Sequence, residues 1–438
     1  MKQPDIHVGI VHAMKINFTL RGKYTLNDET VEGEQTAVYM PDGTISWQGK
    51  NYKELMFKSG CEQDSFLLHD VVIGINFHWE RKETQVFRGS LKLLVEDNKV
   101  VAINVLPVEQ YLVSVISSEM KATAGLQYLK AHAVISRSWV LAQMENRRHP
   151  TGIVDDSADA PAVSVTDKET MINRWYGRSA HTLFDVCADD HCQRYQGITR
   201  ASNPTVEQAV RETLGEVLMY DGKICDARFS KSCGGVSEAY EYCWDDTQYA
   251  YLKPVRCWDN SKETVPDLRI ETNAEQWIRK SPEAFCNTKD KKILSQILNE
   301  YDQETTNFYR WTVDLSQEKI QALILAKHHI DMGKIISITP LERGFSGRIS
   351  KLKIEGKKHT LIIGKELEIR RTLSDSHLLS SAFVVDKLAD GFRLTGAGWG
   401  HGVGFCQIGG AVMAEKGYAY DKILLHYFTN VSLTKLYS

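Results

Sequence analysis

Glu119 stands where a charge is unexpected. Val108, Leu112 and Val115 share one helical face at i, i+4 and i+7, and Glu119 is the next residue on it. A carboxylate that continues an apolar stripe is costly to bury unpaired. Two readings fit the pattern. One is an ion pair with Arg137 or Lys130, both carried by the following helical stretch. The other is a carboxyl group whose proton affinity is raised by partial burial, as a general acid needs near neutral pH.

A second group lies within twelve residues: His181, Cys187, His191 and Cys192. Two thiolates and two imidazoles can complete a tetrahedral zinc shell. Asp185, Asp189 or Asp190 can orient a histidine from behind it. The spacing is not that of a zinc finger, and adjacent His191 and Cys192 compete for one ion. With only His181, Cys187 and Cys192 as ligands, the fourth position would be open to water. The bland alternative is two free cysteines and two surface histidines.

Two glycine-bearing stretches follow. In Ser232-Cys233-Gly234-Gly235 a thiol precedes two glycines. It reads as a nucleophile beside a backbone oxyanion hole, served by His401, or as a tight turn with a packed cysteine. From Gly396 to Gly404 every second residue is glycine. Along an extended chain these glycines line one face, where a second backbone or a long polymer can lie close. Trp399, His401 and Gln407 would project beside it. Close packing of a strand on a helix explains the run equally well. The register matches neither G-x-G-x-x-G nor a P-loop, which excludes a nucleotide site.

The elements that must position these residues start with a helical pair between Asn104 and Met144. Pro107 suits the first helical position, and Glu109 falls in the first turn. Lys121-Ala-Thr-Ala-Gly125 breaks the helix. Leu126, Leu129, Ala133 and Val140 then form a second buried stripe, on which Arg137 also falls. Before the pair, residues 5–105 read as antiparallel sheet, with strands near 6–11, 15–20, 66–68, 71–79 and 91–96. After it come a polar loop (149–161) and a short helix over Asp167–Tyr176. Helices are expected near 274–279, 292–298 and 318–326, and strands near 335–339, 349–354, 359–363 and 382–385. Helices over 406–416 and 420–428 close the chain.

A chain of 438 residues has room for two or three domains. A net charge of −3 with no Lys/Arg-rich run gives no case for nucleic acid. No apolar run approaches the roughly 20 residues of a transmembrane helix. The N-terminal residues read as a strand, so no signal peptide is visible. Nine scattered cysteines match no disulfide framework.

Six blocks, in order, carry a resemblance: Leu106-Pro-Val-Glu-Gln-Tyr-Leu112 with Ser118-Glu119-Met120; Leu129-Lys-Ala-His-Ala-Val134 with Arg137-Ser138; Cys192-Gln-Arg-Tyr195; Ser232-Cys-Gly-Gly235; Ser346-Gly-Arg348; and Gly398-Trp-Gly-His-Gly-Val-Gly404 with Gln407 and Gly409. The chain thereby resembles the SpoIID/LytB family of bacterial cell-wall proteins, which includes a sporulation lytic transglycosylase and amidase enhancers. The resemblance implies an α+β fold: a two-lobed SpoIID-like domain with a central groove, preceded by a β-rich N-terminal region (1–100). Residues 101–260 would hold the helix pair and zinc cluster, 261–345 an inserted or elongated segment, and 346–438 the glycine-rich part.

It also implies a peptidoglycan glycan strand as substrate. Glu119 would be the acid and base that cleaves between N-acetylmuramic acid and N-acetylglucosamine, leaving a 1,6-anhydro ring. The alternative is a non-catalytic glycan-binding enhancer of a cell-wall amidase. The family's zinc ligands fall on His181, Cys187 and Cys192, in a structural more than a catalytic role, with His191 as fourth ligand or bystander. Lys130, Arg137, Gln193, Tyr195, Ser232, His401 and Gln407 would line the glycan site. The expected location is the cell envelope or periplasm. Three departures stand out: family proteins usually carry an export signal and none is visible here, Lys121-Ala-Thr-Ala follows Glu119-Met120 where the enzyme branch carries proline, and residues 244–345 are longer than the family pattern.

Overall fold

Ile16, Phe18, Leu20, Tyr24 and Leu26 are all buried along the strand Lys15–Leu26. Alternation of this kind places one face of a sheet against a core. The same pattern recurs through the first hundred residues, whose strands join an 11-stranded sheet. The computed structural model describes residues 2–73, 81–119, 124–148, 161–174, 181–189, 191–199, 203–259, 264–297 and 306–438. The fold is α+β, with a β-rich N-terminal region of ten strands.

Two pairings of the first strand matter most. Asp5–Ala13 pairs antiparallel with Lys99–Pro107, the strand that runs directly into helix α1 (Val108–Glu119). On its other edge it pairs parallel with the two-residue strand Val186–Cys187, with Gly9 opposite Cys187. Gly9 is required there, because a Cβ at that position would lie 2.6 Å from the Phe184 ring. Helix α1 begins one residue later than the spacing predicts, with Pro107 ending the strand. Helix α2 (Leu126–Arg148) follows.

The first hydrophobic core extends from Ile6 to Tyr437 and takes in both helices. A second core is built from Ile172, Leu352, Ile354, Leu361, Ile363, Phe383 and Leu394, among others. It lies between a five-stranded and a three-stranded sheet drawn from residues 162–173 and 310–397. Helices Glu271–Lys280, Lys291–Ile297, Gln317–His328, Gln407–Glu415 and Tyr420–Tyr427 correspond to expected ones.

Two expectations are corrected. The helix predicted over Asp167–Tyr176 contains the strand Glu169–Asn173, which pairs parallel with Thr360–Gly364. Thr170 and Ile172 point inward at period two, and their partner lies nearly two hundred residues away, beyond the reach of a local pattern. The glycine run is not an extended, side-chain-free face. Gly398, Gly400, Gly402 and Gly404 all have φ between +70° and +90°, so the backbone turns at every second residue. The polar loop over 149–160 and the end of the strand expected to Trp79 lie outside the described residues.

Candidate functional site

Glu119 is the last residue of α1 and is half-buried. Neither cation proposed as its partner pairs with it. Lys130 meets Glu212 at 2.5 Å. Arg137 forms a two-pronged pair with Glu109, at 2.8 and 2.7 Å, and donates to the Glu216 carbonyl at 3.0 Å. Its side chain is 0% exposed, so it clamps α2 to the start of α1 and has no surface to offer a sugar. Tyr437 completes the clamp by donating to Glu109 at 2.7 Å.

Glu119 is held by backbone instead. The Arg194 amide donates to Oε1 at 2.9 Å, and one residue earlier the Gln196 amide donates to the Ser118 hydroxyl at 3.1 Å. The segment after Cys192 thus lies along the end of α1. Lys231 adds a bond from its ammonium to the Glu119 carbonyl, at 3.1 Å.

The same segment carries the expected metal ligands. One ligand atom each from His181, Cys187, His191 and Cys192 falls within 4.8 Å of the others. His181 Nε2 and His191 Nδ1 stand 3.3 and 3.4 Å from Cys192 Sγ, and His191 Nδ1 is 3.9 Å from Cys187 Sγ. Two sulfurs and two imidazole nitrogens at these separations fit one zinc ion, His191 included. The hydrogen bond between the two thiols pulls Cys187 far below the ordinary thiol range and pushes Cys192 up. The cluster is at the surface, with His191 the exposed member. Asp185 does not stand behind a histidine: it accepts from the His7 amide at 2.8 Å and from Arg147 at 2.9 Å. Cys187 is fixed by its strand pairing, and Ala188 donates to Gly9 at 2.9 Å.

Of the remaining residues expected on the glycan, Gln193, Tyr195, Ser232 and Gln407 turn inward, whereas His401 stays half-exposed. Gln193 accepts from Tyr111 at 3.1 Å, Tyr195 donates to Asn104 at 2.5 Å, and both are 1% exposed. Gln407, also buried, bonds His132 at 3.2 Å. Ser232 exchanges backbone hydrogen bonds with Trp399, at 3.0 and 2.8 Å. His401 accepts from the Val403 amide at 3.0 Å, and Trp244 packs against its ring at 4.7 Å. Burial holds it well below the usual histidine range, and Arg228 and Arg348 add to that effect. A sequence motif marks these side chains as special without saying which way they face. Most of them join the motif blocks to one another.

Arg348 of the Ser-Gly-Arg block does the same, bonding the carbonyls of Gly400 and Cys233 at 3.1 Å each. Among the described residues, a cleft of about 380 Å³ against Ile278, Arg310, Trp311 and Thr395 contains none of the expected site residues.

One cluster was missed altogether. Cys233, Cys257, Cys286 and Cys406 come together in the interior, each at most 2% exposed. Cys233 therefore lies among thiols, not in a nucleophile–histidine pair. The four are scattered along the sequence, and no short spacing signals them.

Residues 96–220 match the family described as Stage II sporulation protein, SpoIID, and residues 238–404 match a domain of unknown function, DUF8618. The chain is 25% identical over 330 residues to Stage II sporulation protein D of Bacillus amyloliquefaciens, covering 75% of each chain. It is 25% identical over 384 residues to an uncharacterized protein of Brachyspira hyodysenteriae, covering 87% of this chain and 77% of that one. It is 24% identical over 334 residues to an amidase enhancer of Bacillus subtilis, covering 74% of this chain and 40% of that protein. Residues 96–220, which span α1, α2 and the His/Cys loop, thus form a region similar to the SpoIID family, and the named relatives of the chain are a sporulation protein and an amidase enhancer.

Proposed function

We propose that the protein is a peptidoglycan lytic transglycosylase of the cell envelope, with Glu119 as its single acid and base. The observation that carries this reading is the placement of Glu119. It ends a buried helix, stays half-exposed, and is oriented by the Arg194 amide at 2.9 Å. A fixed, accessible carboxyl group is what proton transfer to a glycosidic oxygen requires.

As the bond between N-acetylmuramic acid and N-acetylglucosamine breaks, the protonated Glu119 gives its proton to the leaving oxygen. The resulting carboxylate takes the proton of the C6 hydroxyl, whose oxygen closes on C1 to form the 1,6-anhydro ring. No water is consumed, and the second carboxylate of ordinary glycoside hydrolysis is not needed. When bound at His181, Cys187, His191 and Cys192, zinc supplies a structural cross-link for the loop. Arg194 in that loop holds the carboxyl group, and Lys231 holds the helix end.

The test is mass spectrometry of sacculi and of peptide-free glycan strands incubated with the wild type and with Glu119→Gln. The expected products end in 1,6-anhydro sugar, fall at least a hundredfold in the variant, and fall without loss of thermal stability. Reducing ends in their place would make the protein a hydrolase. The relative named amidase enhancer favours a second reading, a glycan-binding partner of an amidase. In that case neither protein cuts, and both stimulate the amidase equally.

A further inference from the structure

We infer that Cys233, Cys257, Cys286 and Cys406 bind one zinc ion in a buried, all-thiolate site, separate from the His/Cys loop. The four sulfurs lie within 4.8 Å of one another, and Cys233 Sγ is 3.7 Å from Cys286 Sγ. Thiolates about 2.3 Å from one zinc ion stand about 3.8 Å apart at the corners of a tetrahedron. The separations therefore suit a single ion. A cluster of several irons would spread its ligands farther. Buried cysteines are common as small apolar residues, but those have no reason to converge on one point from four separate segments.

The surroundings are built for thiolates. The Cys233 amide lies 3.3 Å from Cys406 Sγ, and the Tyr427 hydroxyl lies 3.2 Å from Cys257 Sγ. Both can donate to a charged sulfur, as outer-shell groups around a metal do. The Ser232 hydroxyl is buried with no oxygen or nitrogen to bond, and Cys286 is the sulfur beside it. Gly409 keeps the space clear: a Cβ there would lie 2.7 Å from Cys257 Sγ and 3.3 Å from Cys406 Sγ.

Charge is also matched. Four thiols release four protons to solvent as zinc binds, which leaves a net charge of about −2 on the assembled site. Arg310 donates to the Gly234 carbonyl at 3.0 Å, and Arg348 to the Cys233 carbonyl at 3.1 Å. A half-buried and a buried cation thus flank the site.

The ligands also explain what holds the extra segment. Cys233 and Cys406 belong to the Ser-Cys-Gly-Gly and glycine-rich blocks. Cys257 and Cys286 belong to the stretch 244–345 that departs from the family pattern. One ion would fasten that stretch to the family fold at its centre.

The experiment uses the full-length chain with all four cysteines intact, so that misfolding of a core variant does not decide the matter. Metal content and zinc X-ray absorption are measured on the wild type and on Cys187→Ser/Cys192→Ser. The expected result is about one equivalent of zinc retained in the double variant, with a sulfur-only shell at about 2.3 Å. Cobalt substitution should add the strong sulfur-to-metal absorption of a tetrathiolate. The readout does not depend on the proposed activity, and a wild type holding one zinc with a sulfur-only shell would sink the His/Cys site alone. Loss of all metal from a folded double variant, a shell containing nitrogen, or a disulfide among the four cysteines in the purified protein would overturn the inference.

Discussion

His132 shows how a single buried side chain sets a pH limit. It is fully buried on α2, with Gln407 at 3.2 Å from Nε2 and Ser136 at 3.2 Å from Nδ1. Burial, helped by the charge of Lys231, lowers its pKa to about 3. If Gln407 donates to Nε2, a second proton there would set two donors against each other. The folded value lies below the ordinary 6.5, so the unfolded chain binds the proton first as pH falls. Its contribution to stability is complete above about pH 6.5 and is lost progressively towards pH 3. The expected loss from this residue between pH 7 and pH 5 is about 2 kcal/mol. Urea unfolding at the two pH values should show that difference shrinking in His132→Gln. An unchanged pH dependence would show that His132 is protonated in the fold or sits in water. At this scale the sequence was only half legible. The positions of the proposed acid and of the His/Cys cluster stood out: Glu119 and the four His/Cys residues. The partners did not: Arg137 belongs to Glu109, and Glu119 accepts from the Arg194 backbone amide, which no side-chain pattern can reveal.

At the scale of elements, helices were easier to read than turns. Apolar stripes at helical spacing predicted α1 and α2, because burial on one face is a local property of the sequence. The glycine run misled, because alternation fits a strand as well as a chain of left-handed turns. The structure gives a test between glycines of similar conformation. Gly402 has φ +79°, and a Cβ there would lie 2.4 Å from the Arg348 guanidinium; Gly43 has φ +80° and open space around it. Gly43→Ala should cost about 1–2 kcal/mol, the strain of the conformation alone. Gly402→Ala should cost about 2–5 kcal/mol, because overpacking adds to that strain. Equal denaturation midpoints for the two variants would mean that the run is not packed on Arg348.

At the scale of the whole molecule, two hydrophobic cores are fastened to one another. Arg348 opens the strand Ile349–Gly356 of the second core and reaches the Ser232–Cys233 and Gly400 backbones. Burial pushes the Glu238 carboxyl up, and nearby Arg348 works against that rise. Arg348→Met would leave those carbonyls and Glu238 without a cation, at about 3–5 kcal/mol. Calorimetry should then resolve two unfolding transitions where the wild type shows one. A single transition, merely shifted, would mean that other contacts couple the cores. None of this was visible in the sequence, since the cores share chain segments in alternation and the four central cysteines are far apart. The pairing of Asp5–Ala13 with both Lys99–Pro107 and Val186–Cys187 has an engineering consequence. Transplanting the two helices into another scaffold would leave the carboxyl group behind its orienting amide. The smallest portable unit includes the first strand, the strand before α1, both helices and the loop to Gln196, so modular swaps within this family should break at its ends and not inside it.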